Sequence, residues 1–515
     1  MDVIIVGGGP NGLMLACELA LGGVRPVVLE RRTEPNPEPR SNGLVGQVVR
    51  MVDRRGLFER LSGQAGPPRP NDGYFMFAAM PLDLGLLEDS PVYNLPVPEV
   101  QTVRVLEERA TELGAEMRRG HELVGLTQDA DGVTLTVRGP DGDYELRAGY
   151  VVGADGAHSP VRKAAGIGFP GVTYDRATNR TAQAGVPAEW LDPATGALNV
   201  PGHGPVRPFL PIRTTGGGFS YAPFPGRPAL VSTTEWDQPA TDEPMSLDEL
   251  RASVARVLGV EVPLGPPAGD GPHVLRRING GNTRIAERYR DGRVFLVGDA
   301  AHVFAAGGTG LNLGMQDAIN LGWKLAAAVA GTADVLDTYE RERRPIAERM
   351  VTFSRTQAAL LSPGEDVTGL RAVFGELLTQ PGVVRAVAGL VAGADVRYPV
   401  DEGAHALAGW PAPDLDLRTA DGPVRLAELA RTARPVLIDL TGDLAVDGVE
   451  VVRAEADTDL TALLLRPDSY VAWASSDPRP DRSELAAAVA RWFTPDGPNL
   501  PTARQAAAAG LGSDS

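Results

Sequence analysis

Val3-Ile4-Ile5-Val6-Gly7-Gly8-Gly9-Pro10-Asn11-Gly12 is a run of β-branched residues that breaks at once into glycines. Four such residues with no polar alternation read as a strand buried on both faces, as in a parallel sheet. Gly7, Gly9 and Gly12 then fall in a G-x-G-x-x-G pattern. The first glycine permits the tight turn, the second lets backbone approach a pyrophosphate, and the third lets the following helix pack close to the strand. Pro10 and Asn11 lie where that helix starts, with its free N–H groups and positive end directed at phosphate. Pro26-Val27-Val28-Leu29-Glu30 is the second strand, and Glu30 at its end supplies a carboxylate able to accept hydrogen bonds from a ribose. An acid there disfavours a 2′-phosphate, so an ADP-containing cofactor other than NADP is expected at this site.

Two further stretches repeat the change from strand to glycine turn: Tyr150-Val151-Val152-Gly153-Ala154-Asp155-Gly156 and Val294-Phe295-Leu296-Val297-Gly298-Asp299. In open α/β sheets ligands bind at the carboxyl ends of strands, so three such ends point to one extended cofactor. Asp299 offers a carboxylate, and Gly307-Gly308-Thr309-Gly310 opens another helix. An acid beside a glycine-rich helix start suits a polyol together with an anionic ring edge.

Composition bounds the rest. At 515 residues the chain predicts two to four domains, and its 43% apolar content contains no run long enough to span a bilayer. The first strand begins at Val3, leaving no room for a secretion signal ahead of it, so a soluble, cytoplasmic protein is expected. Cys17 is the single cysteine, which excludes an intramolecular disulfide or a thiolate metal cluster, and no metal site is expected. A net charge of −17 repels nucleic acid and anionic membranes, leaving small molecules as the expected partners. Oligomeric state is not legible.

Along the chain, Leu13, Ala16, Leu19 and Ala20 share one helical face, Val103–Leu113 reads as a helix, and Val133–Val137 alternates as a strand. Short strands and Gly/Pro turns fill residues 176–274, suiting an antiparallel sheet on the substrate side. Met315, Ile319, Gly322, Ala326 and Val329 recur at helical spacing. Pro435–Leu440 and Tyr470–Trp473 read as strands, and Leu485, Val489, Trp492 and Phe493 as one helical face. The small, polar residues at the C-terminus are expected to fray.

The combination resembles the single-component (class A) flavin-dependent aromatic hydroxylases, the family typified by p-hydroxybenzoate hydroxylase. The resemblance covers most of residues 1–350: the G-x-G-x-x-G with Glu30, the segment Gly153-Ala154-Asp155-Gly156-Ala157-His158-Ser159-Pro160-Val161-Arg162 (the DG motif), and Gly298-Asp299-Ala300-Ala301-His302 (the GD motif) with Gly307–Ala318 and Asn320–Leu325 beyond it. It implies an α/β fold: a Rossmann-like FAD-binding domain of the glutathione-reductase type (residues 1–175, with a substrate-side excursion near 70–100, and 275–395), an inserted antiparallel-sheet substrate domain (176–274), and a C-terminal thioredoxin-like domain (396–515). The last holds no cysteine and cannot exchange disulfides.

Carried over by position, the resemblance implies that Glu30, with Arg31 beside it, holds the adenosine ribose and Asp299 the ribityl chain. Gly310, Leu311 and Asn312 would offer backbone to the isoalloxazine; Arg40, Gln101 and Val124 would also contact FAD, Val124 through its backbone. Asp155, Gly156 and Arg162 belong to a motif linked with both FAD and NAD(P)H. Members commonly carry prolines after the GD-motif histidine, whereas this chain has Val303-Phe304-Ala305-Ala306 and is one residue shorter.

The implied chemistry is reduction of FAD by NADPH or NADH, addition of O₂ at the flavin C4a, and transfer of the distal hydroperoxide oxygen to an aromatic carbon. No catalytic side chain is required, since the cofactor carries the reaction. Phe209, Tyr221 and Phe304 are the candidate substrate contacts. The best reading is hydroxylation of a polycyclic aromatic polyketide in antibiotic biosynthesis. Its alternatives are Baeyer–Villiger oxygen insertion, oxidation that inactivates a finished antibiotic, and, from another class, a flavin-binding sensor or drug-sequestering protein.

Overall fold

The computed structural model describes residues 1–37, 41–239, 241, 243–331 and 334–493. The tail expected to fray and Arg40 lie outside them. Five helices matter to the site: α1 Pro10–Leu21, α2 Leu247–Leu258, α3 Gly310–Val329, α4 Thr338–Leu361 and α5 Glu365–Leu377.

The strand Val3–Val6 is fully buried and sits in the middle of a six-stranded sheet. Across that sheet the order is Arg290–Asp291, Val294–Leu296, Tyr150–Gly153, Val3–Val6, Val27–Glu30 and Glu116–Arg119, and every pairing but the first is parallel. The register sets Val6 opposite Gly153, and Gly153 opposite Leu296. The three glycine turns therefore emerge side by side along one edge. Helix α1 packs against α3 at very short range: a Cβ on Gly22 would fall 2.5 Å from the Ala326 methyl, and one on Gly322 2.3 Å from the Glu18 Cβ. Cys17, buried in α1, has its thiol pushed up to about 12, first by burial and then by the neighbouring Glu18.

A second six-stranded sheet runs in the order Ile212–Arg213, Gly218–Ala222, Ala229–Trp236, Gly171–Ala184, Leu275–Ile285 and His302–Val303. One face is roofed by the amphipathic α2, whose Leu250, Val254 and Val257 pack with Ala182, Phe219, Tyr221 and Val231. Arg180 and Arg277 on this face both pair with Glu249 of α2, at 2.7 and 2.5 Å. The other face presents half-buried Asn179, Thr181, Ser220, Ser232 and Thr234, with Thr181 and Ser232 hydroxyls 2.9 Å apart. The last strand of this sheet is the GD-motif segment itself, with His302 opposite Ile285. The two sheets are thus joined at the third glycine turn.

A third sheet takes the order Gly422–Arg425, Asp416–Thr419, Glu450–Glu455, Val436–Asp439, Ala462–Leu465 and Val471–Ser475, and the Leu485–Val489 face of helix Arg482–Trp492 packs on it. It docks through buried charge. Arg466 donates to both Glu342 oxygens of α4 at 2.6 and 2.8 Å and to Asp468, amid the rings of Trp323, Tyr398 and Trp492. Lys324 completes the cluster 2.6 Å from Glu342. Burial opposes ionisation of Glu342, but Arg466 and Lys324 outweigh it and hold the carboxyl below its usual range. Next to this cluster Arg55 bridges buried Glu18 and the carbonyls of Ala430 and Pro467. Breaking such buried pairs from one side costs about 3–5 kcal/mol. Among the described residues no helix is long and apolar enough to cross a membrane.

Candidate functional site

The three glycines of the first turn divide into two kinds. Gly7 has φ +113°, and a Cβ there would lie 2.3 Å from the Ala154 carbonyl oxygen, while one on Gly12 would lie 2.0 Å from the Gly7 oxygen. Both are demanded by the protein's own packing. A Cβ on Gly9 meets nothing within 4 Å, so its backbone is bare toward the space at the start of α1. Helix α1 has no side-chain cap and Pro10 at its first turn, which leaves its leading N–H groups for an anion. Glu30 accepts from Gly8 N at 2.8 Å and from Arg32 N at 2.9 Å. A carboxylate has about four acceptor positions, so capacity for ribose hydroxyls remains. Gly7–Gly12 and Glu30 therefore fit a nucleotide diphosphate and its sugar.

Asp299 is exposed in a short 3₁₀ turn beyond the Val294–Leu296 strand. A Cβ on Gly310, the first residue of α3, would stand 3.6 Å from its Oδ1 and 3.9 Å from the Phe304 ring. Asp299, Phe304 and Gly310 are thereby brought together around one open spot, with Leu311 half-buried beside them. Phe304 stacks on His302, centroids 5.2 Å apart. The Asn312 side chain turns away and accepts from Val45 N at 3.0 Å. The Asn11 side chain wedges between Gly298 and Gly314, tying the first turn to the third; its Oδ1 is buried without a partner.

The DG motif serves as a brace. Asp155 accepts from Val161 N at 2.9 Å, keeps a second buried oxygen without a partner, and has its carboxyl raised by burial. Arg162, which the resemblance links with NAD(P)H, is turned into the protein. Only 4% exposed, it donates to Ala157 O and Ala300 O, each at 2.9 Å, and lies 3.8 Å from the Phe169 ring centroid. Its guanidinium joins the second turn to the third.

Behind the GD motif lies a buried network that sequence reasoning missed. Asp317 of α3 accepts from His302 Nε2 at 2.6 Å and from Arg343 Nε at 2.8 Å, and Arg343 donates to Tyr398 Oη at 3.0 Å. Burial would raise the Asp317 carboxyl, but attraction to His302 and Arg343 keeps it below its ordinary value. Tyr398 in turn stacks on Tyr470 at 3.9 Å, reaching the C-terminal sheet. Asp317, Asn320 and Lys324, polar residues recurring at helical spacing within α3, were the available signal.

The other expected contacts scatter. Arg31 is exposed, Val124 is 41% exposed on the strand Glu122–Gln128, and Gln101 accepts from Arg104 on helix Glu99–Glu112. Gly156 adopts a left-handed φ of +84° in the second turn. Tyr221, expected at the substrate, is instead 2% exposed beneath α2, on the sheet face away from the hydroxyl row. Phe209 is 46% exposed and meets Phe224 edge-on at 5.2 Å. Near it the middle sheet reaches the first part of the chain, through Tyr74 Oη to Pro208 O at 2.6 Å and Arg227 to Asn42 at 3.2 Å.

Two family models match: one described as an FAD binding domain over residues 1–354, and one described as aromatic-ring hydroxylase, C-terminal, over residues 405–495. This chain belongs to the FAD-dependent aromatic-ring hydroxylases. It is 41% identical to a 12-dehydrotetracycline 5-monooxygenase/anhydrotetracycline 6-monooxygenase of Streptomyces rimosus, over 96% of this chain and 99% of that protein. It is 40% identical to a rifampicin monooxygenase of Streptomyces venezuelae, over 96% and 98%. The solved structure of the anhydrotetracycline hydroxylase OxyS from Streptomyces rimosus superposes with a TM-score of 0.82 at 39% identity, covering 96% of this chain and 99% of that one. The protein is accordingly a flavin-dependent monooxygenase.

Proposed function

We propose that the protein uses NAD(P)H and O₂ to hydroxylate a polycyclic aromatic polyketide during antibiotic biosynthesis. The balance is NAD(P)H, a proton, O₂ and an aromatic C–H giving NAD(P)⁺, an aromatic C–OH and water. The observation that carries this reading is the convergence of three strand ends beside a second sheet whose unroofed face is lined with hydroxyls and amides. A flat multi-ring substrate with phenol and ketone oxygens matches such a face, and the tetracycline-related relative points the same way. FAD, when bound, supplies the redox and oxygen-transfer chemistry.

The chain's own residues bind, orient and exclude water. Backbone around Gly9 and the start of α1 would hold the diphosphate, Glu30 the ribose and Asp299 the ribityl chain, while α3 from Gly310 to Asn312 would face the ring system. Phe304, fixed on His302, would wall the ring side, and Phe209 with Phe224 would close the far side of the substrate. The C-terminal sheet, which we infer to be thioredoxin-like, holds no cysteine and acts as a buttress on α3 and α4. A second reading, oxygenation of a finished antibiotic, is favoured by the likeness to rifampicin monooxygenase. The test is NADPH and NADH oxidation by the FAD-loaded protein against anthraquinone, angucycline and tetracycline intermediates and against finished antibiotics. Stimulation by an intermediate, with a product heavier by one oxygen, supports the first reading; stimulation only by a finished antibiotic supports the second.

A further inference from the structure

We propose that Thr283, Ser354 and Gln357 are positioning residues that fix the segment Val303–Gly308 beside the cofactor and thereby set how tightly NAD(P)H oxidation is coupled to oxygen transfer. This rests on the monooxygenase reading and adds residues that neither the glycine motifs nor the family match single out.

The segment connects the GD motif to α3 and has no regular structure of its own between Val303 and Gly310. It carries the Phe304 ring and delivers the chain to Gly310, so its path decides where the wall of the site stands. Irregular backbone of this kind must find partners for its N–H groups. Two are supplied by hydroxyls: Ala305 N donates to Thr283 Oγ1 and Ala306 N to Ser354 Oγ, each at 3.1 Å. The two hydroxyls are themselves 3.2 Å apart. Thr283 is 1% exposed and Ser354 fully buried. A buried hydroxyl is unfavourable unless it is used, and here each is used on the same short segment.

Gln357 lies three residues beyond Ser354 on the same face of α4. A Cβ on Gly307 would fall 2.5 Å from its Nε2, so its amide lies directly against the segment. Its Oε1 accepts from Ala78 N at 3.2 Å. Ala78 and Ala79 form the tip of the hairpin Tyr74–Phe77 and Met80–Asp83, and both have left-handed φ, +50° and +57°. Arg371 of α5 holds their carbonyls at 2.5 and 3.0 Å. Three separate parts of the site therefore meet at Ser354 and Gln357: the middle sheet through Thr283, the cofactor-side segment, and the substrate-side hairpin. A shift of hairpin or sheet is passed to the segment through three side chains.

The experiment uses the FAD-loaded full chain with Thr283→Val, Ser354→Ala, Gln357→Leu and, for rescue, Thr283→Ser. Hydrogen exchange at the Ala305 and Ala306 amides, read without substrate, should quicken at least tenfold in Thr283→Val and Ser354→Ala and return to the wild-type rate in Thr283→Ser. With anhydrotetracycline as probe, the share of NAD(P)H electrons leaving as hydrogen peroxide should rise severalfold in the first three variants, with FAD content unchanged, and revert in Thr283→Ser. Unchanged exchange in FAD-loaded Thr283→Val and Ser354→Ala overturns the positioning role, and changed exchange with an unchanged peroxide share overturns the link to coupling. Should Ser354→Ala fail to fold, Thr283→Val still carries both readouts and Gln357→Leu the peroxide share. A wild-type protein that oxidises no substrate defeats the monooxygenase reading alone, because the exchange measurement still decides the role of the hydroxyls.

Discussion

Replacing Gly9 with alanine separates cofactor binding from folding. Gly9 has φ −79° and ψ 177°, a conformation alanine adopts freely, and its Cβ would enter open space. The apo-protein should therefore be as stable as wild type or gain about 0.4–1 kcal/mol, because the unfolded chain loses freedom. The added methyl stands where a diphosphate would approach the backbone. Losing one N–H to phosphate hydrogen bond, worth about 1.5–3 kcal/mol, weakens FAD binding about 10- to 150-fold. Gly12→Ala behaves in the opposite way: its Cβ would sit 2.0 Å from the Gly7 carbonyl oxygen, so α1 must move, at a cost of about 1–3 kcal/mol or more. Denaturant unfolding of the two apo-proteins gives the stabilities, and quenching of FAD fluorescence on titration gives the affinities. Wild-type FAD affinity in Gly9→Ala, or a loss of stability there equal to that of Gly12→Ala, refutes the reasoning.

Arg466→Met leaves Glu342 and Asp468 buried without their common cation, and should lower unfolding stability by about 3–5 kcal/mol, with an unchanged denaturant midpoint as the contrary result. Glu342 titrates near 4.5 when unfolded and lower in the fold, so its contribution is whole above about pH 4.5 and disappears as pH falls through the folded value; unfolding measured from pH 7 to pH 3 should show acid destabilisation that Glu342→Gln blunts. Tyr221→Phe should leave the substrate KM within about twofold, since the ring lies beneath α2; a severalfold change would place it on the substrate side. Arg162→Ala should lower stability by about 1.5–3 kcal/mol through loss of its two carbonyl bonds, with the KM for NAD(P)H of FAD-loaded protein little altered.

The three strand-to-glycine turns were legible because their geometry is backbone geometry. A phosphate-binding turn needs glycines at fixed spacing, and Gly7, Gly9, Gly12, Glu30 and Asp299 stand where strand ends put them. Side-chain roles read less well. Alternation marks Gly218–Ala222 as a strand, yet period alone does not say which face a distant helix will cover, and Tyr221 fell on the face that α2 roofs. An arginine next to a nucleotide motif reads as a ligand; only tertiary structure shows Arg162 spent on the carbonyls of Ala157 and Ala300. Asp317, Arg343 and Tyr398, or Thr283 and Ser354, are far apart along the chain and gain meaning only when α3, α4 and the middle sheet meet.

The most direct test of the account is turnover of the FAD-loaded protein with NAD(P)H and a polycyclic aromatic substrate under ¹⁸O₂ in ordinary water. The hydroxylated product should carry one ¹⁸O atom per NAD(P)H consumed in coupled turnover, and none when the label is placed in water instead. Oxygen drawn from water, or a product with no added oxygen, would contradict it.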